Sequence, residues 1–370
     1  MKTILTVFGT RPEAIKMCPL IKELATRRNF NSVVCVTGQH RQMLDTVLDT
    51  FCVKPDYDLS VMREGQSVLD MTGRIMNGID VILEKLKPDI VLVHGDTTTA
   101  FATALACFYR RIFVGHVEAG LRTYNIYSPH PEEFNRRAIS IISKIHFAPT
   151  EVARENLLSE GIEKGSIYVT GNTVIDAVKT TVKKEYTHPI LEWASDSRLV
   201  ILTAHRRESL GAPMHNMLRG VKRAVEECPD VKVICPMHKN PIARDVIREE
   251  LGESERIRLI EPLGVIDFHN FLARSFAILT DSGGIQEEAV ALGKPTLVMR
   301  DTTERPEGIE VGTLKLVGTD EMSIYENFKL LLESGVERIK TKYTPNPFGD
   351  GNASRRIANI LSNVKTVWSS

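Results

Sequence analysis

Histidines and carboxylates stand together where two apolar runs end in the first half of the chain. His94-Gly-Asp96 follows one run, and His116-Val-Glu118 follows the next. The paired residues are at i and i+2, so they share one face of an extended segment. Carboxylates at strand ends suit general acid–base catalysis, whereas two histidines with two carboxylates are also competent metal ligands. A buried histidine bonded to the backbone is the structural alternative; it is favoured for His94 and stands level with a functional role for His116.

The turn after the first apolar run carries two cations, Arg11 and Lys16, beside a predicted helix start. Ligands of open α/β sheets bind at the carboxyl ends of strands, so an anion such as phosphate is expected here. The turn lacks Gly-x-Gly-x-x-Gly and the chain lacks the P-loop pattern, which excludes both of those nucleotide fingerprints. The alternative is that both cations cap a surface loop. Pro19 interrupts the helical spacing, so the helix kinks there or its regular part begins near it.

A glycine pair marks the second candidate anion site, in Asp281-Ser-Gly-Gly-Ile-Gln-Glu-Glu288. Ser282 can cap the helix that follows, and Gly283 and Gly284 let backbone amides approach an anion at the positive helix end. Glu288, one turn further on, could accept hydrogen bonds from two ribose hydroxyls. A plain strand-to-helix turn would not need two consecutive glycines, because each costs entropy. The segment therefore predicts a phosphate or nucleotide site.

Other polar loops follow predicted strands. His205 and Arg206 end the first strand of the second half, and His238 ends the next. A histidine with arginines at a carboxyl end suits neutralisation of a diphosphate. The loop Arg300–Pro306 has two interpretations, a functional one and a solvated charged loop. In the first half, Glu132-Glu133 adds a third acidic cluster.

The elements that would position these residues are strands alternating with helix-length segments. Several strand candidates are near-continuous apolar runs, typical of strands covered on both faces. Alternation predicts an α/β fold with two doubly wound, Rossmann-like domains whose parallel sheets face a cleft. We place one domain at residues 1–170 and the other at 171–353, with a helix over 174–184 and a last helix, about 354–370, packing back on the first domain. The predicted strands are Thr3–Phe8, Ser32–Thr37, Asp89–Val93, Ile112–Val117, Ile145–Ala148, Ile167–Thr170, Leu199–Thr203, Lys232–Cys235, Ile257–Ile260, Ala277–Thr280, Thr296–Val298 and Lys315–Val317.

Composition sets the outer limits. Of 370 residues, 42% are hydrophobic and 25% charged, which excludes a disordered or fibrous chain. Lys plus Arg and Asp plus Glu both total 47, so net charge gives no case for nucleic-acid or acidic-membrane binding. The first apolar run, Ile4–Phe8, is too short for a signal peptide, and none approaches the ~18 residues of a membrane span. Six scattered cysteines without a Cys-x-x-Cys pair indicate reduced thiols. We expect a cytoplasmic protein without nucleic-acid or membrane partners.

Taken together, the motifs closely resemble one family, the non-hydrolysing UDP-N-acetylglucosamine (UDP-GlcNAc) 2-epimerases. They keep one order from residue 8 to residue 351, so the resemblance covers nearly the whole chain. Departures are few: Gly65 stands where many relatives carry Arg, and Ser209 where Asn is common. The matching stretches are FGTRPEAIKM, QHRQML, VHGDTTT, GHVEAGLRT, SPHPEEFNR, TGNTVID, HRRES, PMHKNP, LTDSGGIQEEA, MRDTTERPE and NPFGDG.

The resemblance implies the two-domain fold of GT-B glycosyltransferases, a homodimer, no metal and no nicotinamide cofactor. It also implies site residues, position by position. The catalytic set is Lys16, Asp96, Glu118, Glu132 and His205. The substrate-binding set is Arg11, Arg136, Phe268 against uracil, Ser282, Gly283, Gly284 and Glu288. An effector set for a second UDP-GlcNAc is Gln39, Gln42, Gln66, Arg206 and His238, with Glu132 shared.

The implied activity is isomerisation of UDP-GlcNAc and UDP-N-acetylmannosamine (UDP-ManNAc), supplying cell-envelope polysaccharide. The implied route eliminates UDP to give 2-acetamidoglucal and then adds UDP back. A hydrolysing epimerase releasing ManNAc and UDP is one alternative, and a GT-B glycosyltransferase with a separate acceptor is another. A non-catalytic UDP-sugar sensor is a third alternative, and three acidic residues at strand ends argue against it.

Overall fold

The computed structural model describes residues 1–38, 41–63, 65–252, 254–334 and 346–364. The chain divides into two compact units, Met1–Lys179 with Phe348–Ser370 and Thr180–Pro347. This division falls nine residues after the boundary expected at 170. The reason is that Asn172 N donates to Phe348 O (2.7 Å) and Asp176 accepts the Ala353 and Ser354 N–H groups (3.1 and 2.8 Å). Those bonds tie both crossing segments to the first unit.

The first unit is built on a seven-stranded parallel sheet in the order β3-β2-β1-β4-β5-β6-β7. All six strands predicted in this half are present, whereas β3, only two residues long, gave no sequence signal. Strand order reverses between β1 and β4, and ligands of open sheets bind at the carboxyl ends of strands beside such a switch. The strands are β1 Lys2–Phe8, β2 Phe30–Val36, β3 Tyr57–Asp58, β4 Ile90–His94, β5 Phe113–Val117, β6 Ile145–Ala148 and β7 Ile167–Val169.

Helices cover both faces of this sheet. Helix α1 is continuous from Arg11 through Pro19, so a regular start near Pro19 is wrong. The C-terminal helix Ala353–Asn363 packs on α1, and Lys2 Nζ donates to Leu361 O (2.8 Å) at its end. The helices are α1 Arg11–Ala25, α2 Arg41–Phe51, α3 Val68–Leu86, α4 Thr98–Tyr109, α5 Glu132–Ile142, α6 Glu151–Ser159 and α7 Thr173–Thr181, which is shorter than the predicted 174–184.

The second unit repeats the plan with six parallel strands in the order β10-β9-β8-β11-β12-β13. Its six predicted strands are all present, and its switch lies between β8 and β11. The fold prediction of two doubly wound parallel-sheet domains is therefore confirmed. The strands are β8 Arg198–Thr203, β9 Val231–Pro236, β10 Ile257–Ile260, β11 Ala277–Thr280, β12 Thr296–Val298 and β13 Leu314–Leu316. The helices are α8 Pro189–Trp193, α9 Ala212–Glu227, α10 Pro241–Leu251, α11 Val265–Arg274, α12 Gly283–Ala291, α13 Pro306–Glu310 and α14 Glu321–Ser334, and the helix over Ala353–Asn363 is α15. Within the described part of the chain, no helix combines the length and hydrophobicity needed to cross a bilayer.

Helices α9 and α14 pack so closely that one position must be glycine. A Cβ on Gly220 would lie 2.6 Å from Glu321 O, a contact with backbone that a side-chain rotation cannot relieve. We expect Gly220→Ala to lower the free energy of unfolding by about 1–3 kcal/mol through overpacking, despite alanine's better helix propensity. Urea denaturation followed by circular dichroism measures this.

The matched control is Gly73, in the middle of α3, where a Cβ would meet no atom within 4 Å. Gly73→Ala should raise the free energy of unfolding by about 0.5–1 kcal/mol, because only the propensity changes. If both variants moved stability in the same direction, the close packing of α9 on α14 would be contradicted.

Three buried histidines occupy neighbouring strands of the first sheet: His94 on β4, His116 on β5 and His146 on β6. Burial lowers the pKa of His94 to about 4, although Glu118 opposes it, and lowers that of His116 to about 3. Burial also lowers the pKa of His146. All three rings are therefore neutral at neutral pH, and protonation must wait for unfolding.

We expect the first unit to lose stability in acid. Below the unfolded pKa of about 6.5 each unfolded ring binds a proton that its folded counterpart does not, so the free energy of unfolding falls as pH falls from about 6.5 towards 4. At about 1.4 kcal/mol per pKa unit, His94 alone contributes on the order of 3 kcal/mol. Urea titrations at pH 7.5 and 5.0 measure the loss. His116→Gln should reduce it and the exposed His130→Gln should not; equal losses in wild type and His116→Gln would contradict the assignment.

Candidate active site

The loop after β1 is fixed by a buried glutamate. Glu13 accepts hydrogen bonds from the N–H groups of Gly9 (3.0 Å) and Thr10 (2.8 Å), and Thr10 in turn caps α1. Its other oxygen accepts from Thr97 Oγ1 (2.7 Å), in the loop after β4. Burial raises the pKa of Glu13, while these donors oppose the rise. Glu13 therefore ties the loop that carries Arg11 to the loop after β4, a role that the sequence analysis missed.

Glu118 is the centre of a buried polar cluster at the end of β5. It forms an ion pair with Lys16, accepts from Asn172 Nδ2 (2.7 Å), and lies 3.8 Å from His94 Nε2. The Lys16 and Glu118 side chains are each only 8% exposed. Glu118 itself is held at φ +63°, a left-handed conformation that costs a non-glycine residue roughly 1–3 kcal/mol and is concentrated at functional sites. The structure thus brings predicted Lys16 and Glu118 into direct contact.

The two strand-end histidines differ in their hydrogen bonds. His94, for which a backbone hydrogen bond was favoured, has no hydrogen-bond partner on Nε2, and that atom faces Glu118. His116 is the backbone-bonded one, with Nε2 2.7 Å from Gly95 O. Sequence pattern could not separate them, because both occupy the same position relative to a carboxylate.

Asp96 is held by helix α5. Arg136 forms an ion pair with Asp96, and Asn135 Nδ2 donates to Asp96 O (2.9 Å). Glu132 is the first residue of α5, one turn before Arg136, so the two share a helix face. The fully buried neighbour Glu133 lies 3.5 Å from Arg136 Nη1. Arg136, expected to bind substrate, is therefore first of all the partner of two carboxylates.

Glu133 also fixes the loop before α5. Its carboxylate accepts the backbone N–H groups of Thr123 (3.0 Å) and Tyr124 (3.1 Å). No sequence signal distinguished it from Glu132, since the two are adjacent and alike.

In the second unit, Asp281 holds the loop after β8. Its Oδ2 accepts the backbone N–H groups of His205 and Arg206, both at 2.9 Å. Thr203 Oγ1 and Thr280 Oγ1 are 2.6 Å apart and join the ends of β8 and β11. The switch point of this sheet is therefore closed by hydrogen bonds across the two strands.

The start of α12 differs in detail from the prediction. Ser282 precedes the helix but makes no side-chain cap, and its N–H donates to Thr280 Oγ1 (2.9 Å). A Cβ on Gly283 would lie 2.8 Å from Arg305 Nη1 and 3.0 Å from Arg206 Nη2, so this glycine admits two guanidinium groups. Gly284 has no such neighbour within 4 Å. The first amides of α12 are thus not taken up by Ser282, and they lie beside cations, an arrangement that suits an anion.

In the loop Arg300–Pro306 the side chains of Arg300, Glu304 and Arg305 are buried, whereas Asp301, Thr302 and Pro306 are exposed. The solvated alternative is therefore wrong for the two arginines. Glu304 is 3.0 Å from Arg300, 3.6 Å from Arg305 and 3.8 Å from Arg206. Burial would raise the pKa of Glu304, but these three guanidinium groups, led by Arg305, hold it well below its usual range. Arg305 Nε also donates to Glu287 (2.8 Å) on α12. The loop therefore fixes arginines at the start of α12.

The predicted ribose and uracil residues lie on neighbouring helices. Glu288 is buried on α12, with Oε1 3.5 Å from His269 Nε2. His269 Nδ1 and Thr181 Oγ1 are 2.6 Å apart. Phe268, half-buried on α11, immediately precedes His269. His269 was not predicted, and it connects the two.

The effector set is only partly visible. His238 is exposed and its ring stacks on His205, with centroids 5.0 Å apart. Gln66, in the first unit, accepts from Arg74 Nη1 (2.8 Å). Gln39 and the side chain of Gln42 lie outside the described residues.

Among the residues that the structure describes, one group has the spacing for a metal ion: His215 on α9 with Glu249 and Glu250 on α10. Arg219 Nε already donates to Glu250 (3.1 Å), so a cation would have to displace a guanidinium group. No sequence motif pointed to it.

Comparisons with known proteins identify the family. The family model for UDP-N-acetylglucosamine 2-epimerase matches residues 22–362. The Bacillus subtilis UDP-N-acetylglucosamine 2-epimerase is 57% identical over 97% of this chain and 94% of its own length. A Staphylococcus aureus MnaA–UDP structure has a TM-score of 0.93 at 49% identity, covering 98% of this chain and 96% of that one. The Neisseria meningitidis UDP-GlcNAc 2-epimerase bound to UDP-GlcNAc has a TM-score of 0.93 at 47% identity, covering 98% and 100%. The chain therefore belongs to the UDP-N-acetylglucosamine 2-epimerase family.

Proposed function

We propose that this chain interconverts UDP-GlcNAc and UDP-ManNAc without hydrolysis, in the cytoplasm, to supply cell-envelope polysaccharide. The observation that carries the proposal is the pair of carboxylates that follow the neighbouring strands β4 and β5 of the first sheet. Glu118 is held by Lys16 and Asp96 by Arg136, and a Cβ on Gly95 would lie 3.6 Å from Glu118 Oε1. Structures of relatives with UDP and with UDP-GlcNAc support this substrate class.

The chemistry explains why carboxylates are needed. The C2 proton of the sugar is next to an acetal carbon, so its removal gives no enolate. Expelling UDP from C1 while C2 loses its proton gives 2-acetamidoglucal, and adding UDP at C1 and a proton on the other face of C2 inverts that centre. We assign the proton transfers at C2 to Asp96, Glu118 and Glu132. His94 is neutral at working pH, since burial lowers its pKa to about 4.

The departing diphosphate needs positive charge and hydrogen-bond donors. We assign these to Arg11, His205 and the first amides of α12. Donors that are fixed before the reaction stabilise charge as it develops, and one such donor is worth about 10²–10³ in rate at an oxyanion site. We assign Glu288 to the ribose hydroxyls and Phe268 to the uracil ring.

A proton-NMR time course in heavy water tests this proposal with UDP-GlcNAc as sole substrate. We expect UDP-ManNAc carrying deuterium at C2, because the proton passes through groups that exchange with solvent. Free ManNAc and UDP would instead indicate a hydrolysing enzyme, and no turnover without an acceptor would indicate a glycosyltransferase. Product that retained the original C2 hydrogen would contradict the elimination route.

We also propose that a second UDP-GlcNAc activates the enzyme in the reverse direction. Arg206 and His238 support this, since they lie beside His205. Gly65, at φ +69°, replaces an arginine of many relatives and removes a charged hydrogen bond of about 1.5–3 kcal/mol. Effector affinity is therefore expected to be roughly ten- to a hundredfold weaker than with the arginine.

Initial rates from purified UDP-ManNAc measure this activation. We expect a lag without UDP-GlcNAc, because the effector must first be formed, and no lag when traces of it are added. A full initial rate without UDP-GlcNAc would rule out the activation.

We propose that the chain works as a homodimer. Large apolar side chains are exposed in the C-terminal halves of helices α3, α4 and α5, which pack side by side. They are Val81 (66%), Phe108 (55%), Tyr109 (69%) and Ile141 (80%). Such clustering on a soluble domain is typical of a protein interface. Sedimentation velocity measures the mass, and a monomer at micromolar concentration would contradict the dimer.

A further inference from the structure

One oxygen of a buried carboxylate lacks a hydrogen bond beside the proposed diphosphate site. Asp281 is 0% exposed, and its Oδ1 has no hydrogen-bond partner, whereas Oδ2 accepts the two backbone N–H groups of His205 and Arg206. Leaving a buried acceptor unsatisfied costs about 1–3 kcal/mol. The two backbone bonds need only one oxygen, so they do not explain why this position holds a full carboxylate.

The orphaned oxygen faces a ring nitrogen. His205 Nδ1 lies 3.7 Å from Asp281 Oδ1, less than 1 Å beyond hydrogen-bond distance, and catalytic hydrogen bonds are often this long before ligand binds. The His205 side chain is 31% exposed, so its ring has room to turn. One face of the His205 ring stacks on His238 at an interplanar angle of 14°. A shift of less than 1 Å would therefore bring Nδ1 within hydrogen-bond distance of Asp281.

The other polar groups around this pair do not compete for the bond. Arg206 turns its guanidinium towards Glu208 (3.0 Å). The Cys235 thiol stays protonated, because burial and then the charge of Asp281 raise its pKa to about 12. His238 accepts the Asn240 N–H on Nδ1 (3.2 Å). A carboxylate oxygen only accepts hydrogen bonds, so a bond to Asp281 requires that His205 Nδ1 carry the proton.

We propose that Asp281 is a positioning residue that fixes His205 as the Nδ1–H tautomer. Nε2, on the opposite edge of the ring, is then the atom that meets the diphosphate, and it donates a hydrogen bond there when the ring is protonated. The carboxylate stabilises that positive ring, as the aspartate of a serine-protease triad does for its histidine. The tautomer of His205 can be tested without the proposed function, whereas its effect on catalysis rests on the proposed function.

Nitrogen-15 NMR of histidine-labelled full-length protein tests the tautomer directly. Long-range proton–nitrogen correlations of the neutral ring distinguish Nδ1–H from Nε2–H, and His205→Gln assigns the signal. We expect Nδ1–H in the wild type. A predominant Nε2–H tautomer in the wild type would overturn the proposal, whether or not any variant folds.

Asp281→Asn supplies the second readout. Its amide oxygen can keep the two backbone bonds, while its NH₂ group faces His205 Nδ1 and makes that nitrogen an acceptor, so the proton moves to Nε2. We expect the Nε2–H spectrum. We also expect a kcat reduced at least tenfold with KM little changed, because the carboxylate that stabilises the protonated ring has been removed. The matched control is Asp230→Asn, which removes an exposed carboxylate paired with Arg198 and should change neither. An unchanged tautomer in folded Asp281→Asn would overturn the proposal. If the wild type fails to epimerise, the proposed function fails, and the wild-type spectrum still decides the tautomer.

Discussion

A buried ion pair organises the first unit. Lys16 and Glu118 face each other almost out of water, and each ion would cost several kcal/mol to bury without its partner. Helix α1 must therefore begin early enough for Lys16 to reach Glu118. The turn after β5 must also hold Glu118 in a left-handed backbone conformation. Asn172 donates to the same carboxylate from beyond β7. Three distant segments are thereby fixed in register around one pair of charges.

In the second unit a buried carboxylate is paired with several cations instead of one. Glu304 lies within 4 Å of Arg206, Arg300 and Arg305. Gly283, at the start of α12, is required because the guanidinium groups of Arg206 and Arg305 occupy the space of a side chain. The guanidinium groups are thereby held in fixed orientations, whereas exposed arginines are mobile and hydrated. Charge that is fixed before a ligand arrives needs no reorganisation at the moment of reaction, so the fixed positions of these arginines favour anion binding more than their number alone would.

The sequence predicts strands better than contacts. All twelve predicted strands are present because strands covered on both faces leave long apolar runs, whereas β3 pairs through two residues and leaves none. The capping role of Glu13 could have been predicted, since Thr10-x-x-Glu13 is a capping-box pattern. The difference between His94 and His116 could not be predicted from the sequence, because both precede a carboxylate at i+2. The domain boundary lies later in the chain than predicted, because the Asp176 carboxylate accepts the backbone N–H groups of residues 353 and 354. The sequence gives no sign of a contact between residues nearly half the chain apart.

Pairing of charges also limits what single substitutions can reveal here. Removing Lys16 leaves Glu118 buried without its cation, and such a loss costs about 3–5 kcal/mol by itself. A fall in activity after Lys16 is replaced therefore has two causes. The catalytic contribution of Lys16 is lost, and the Glu118 carboxylate turns away or takes up a proton. The same holds for Arg136, which Asp96 and Glu133 share. Contributions of residues in one network do not add, so double-mutant cycles across each pair are the measurement that separates charge placement from chemistry.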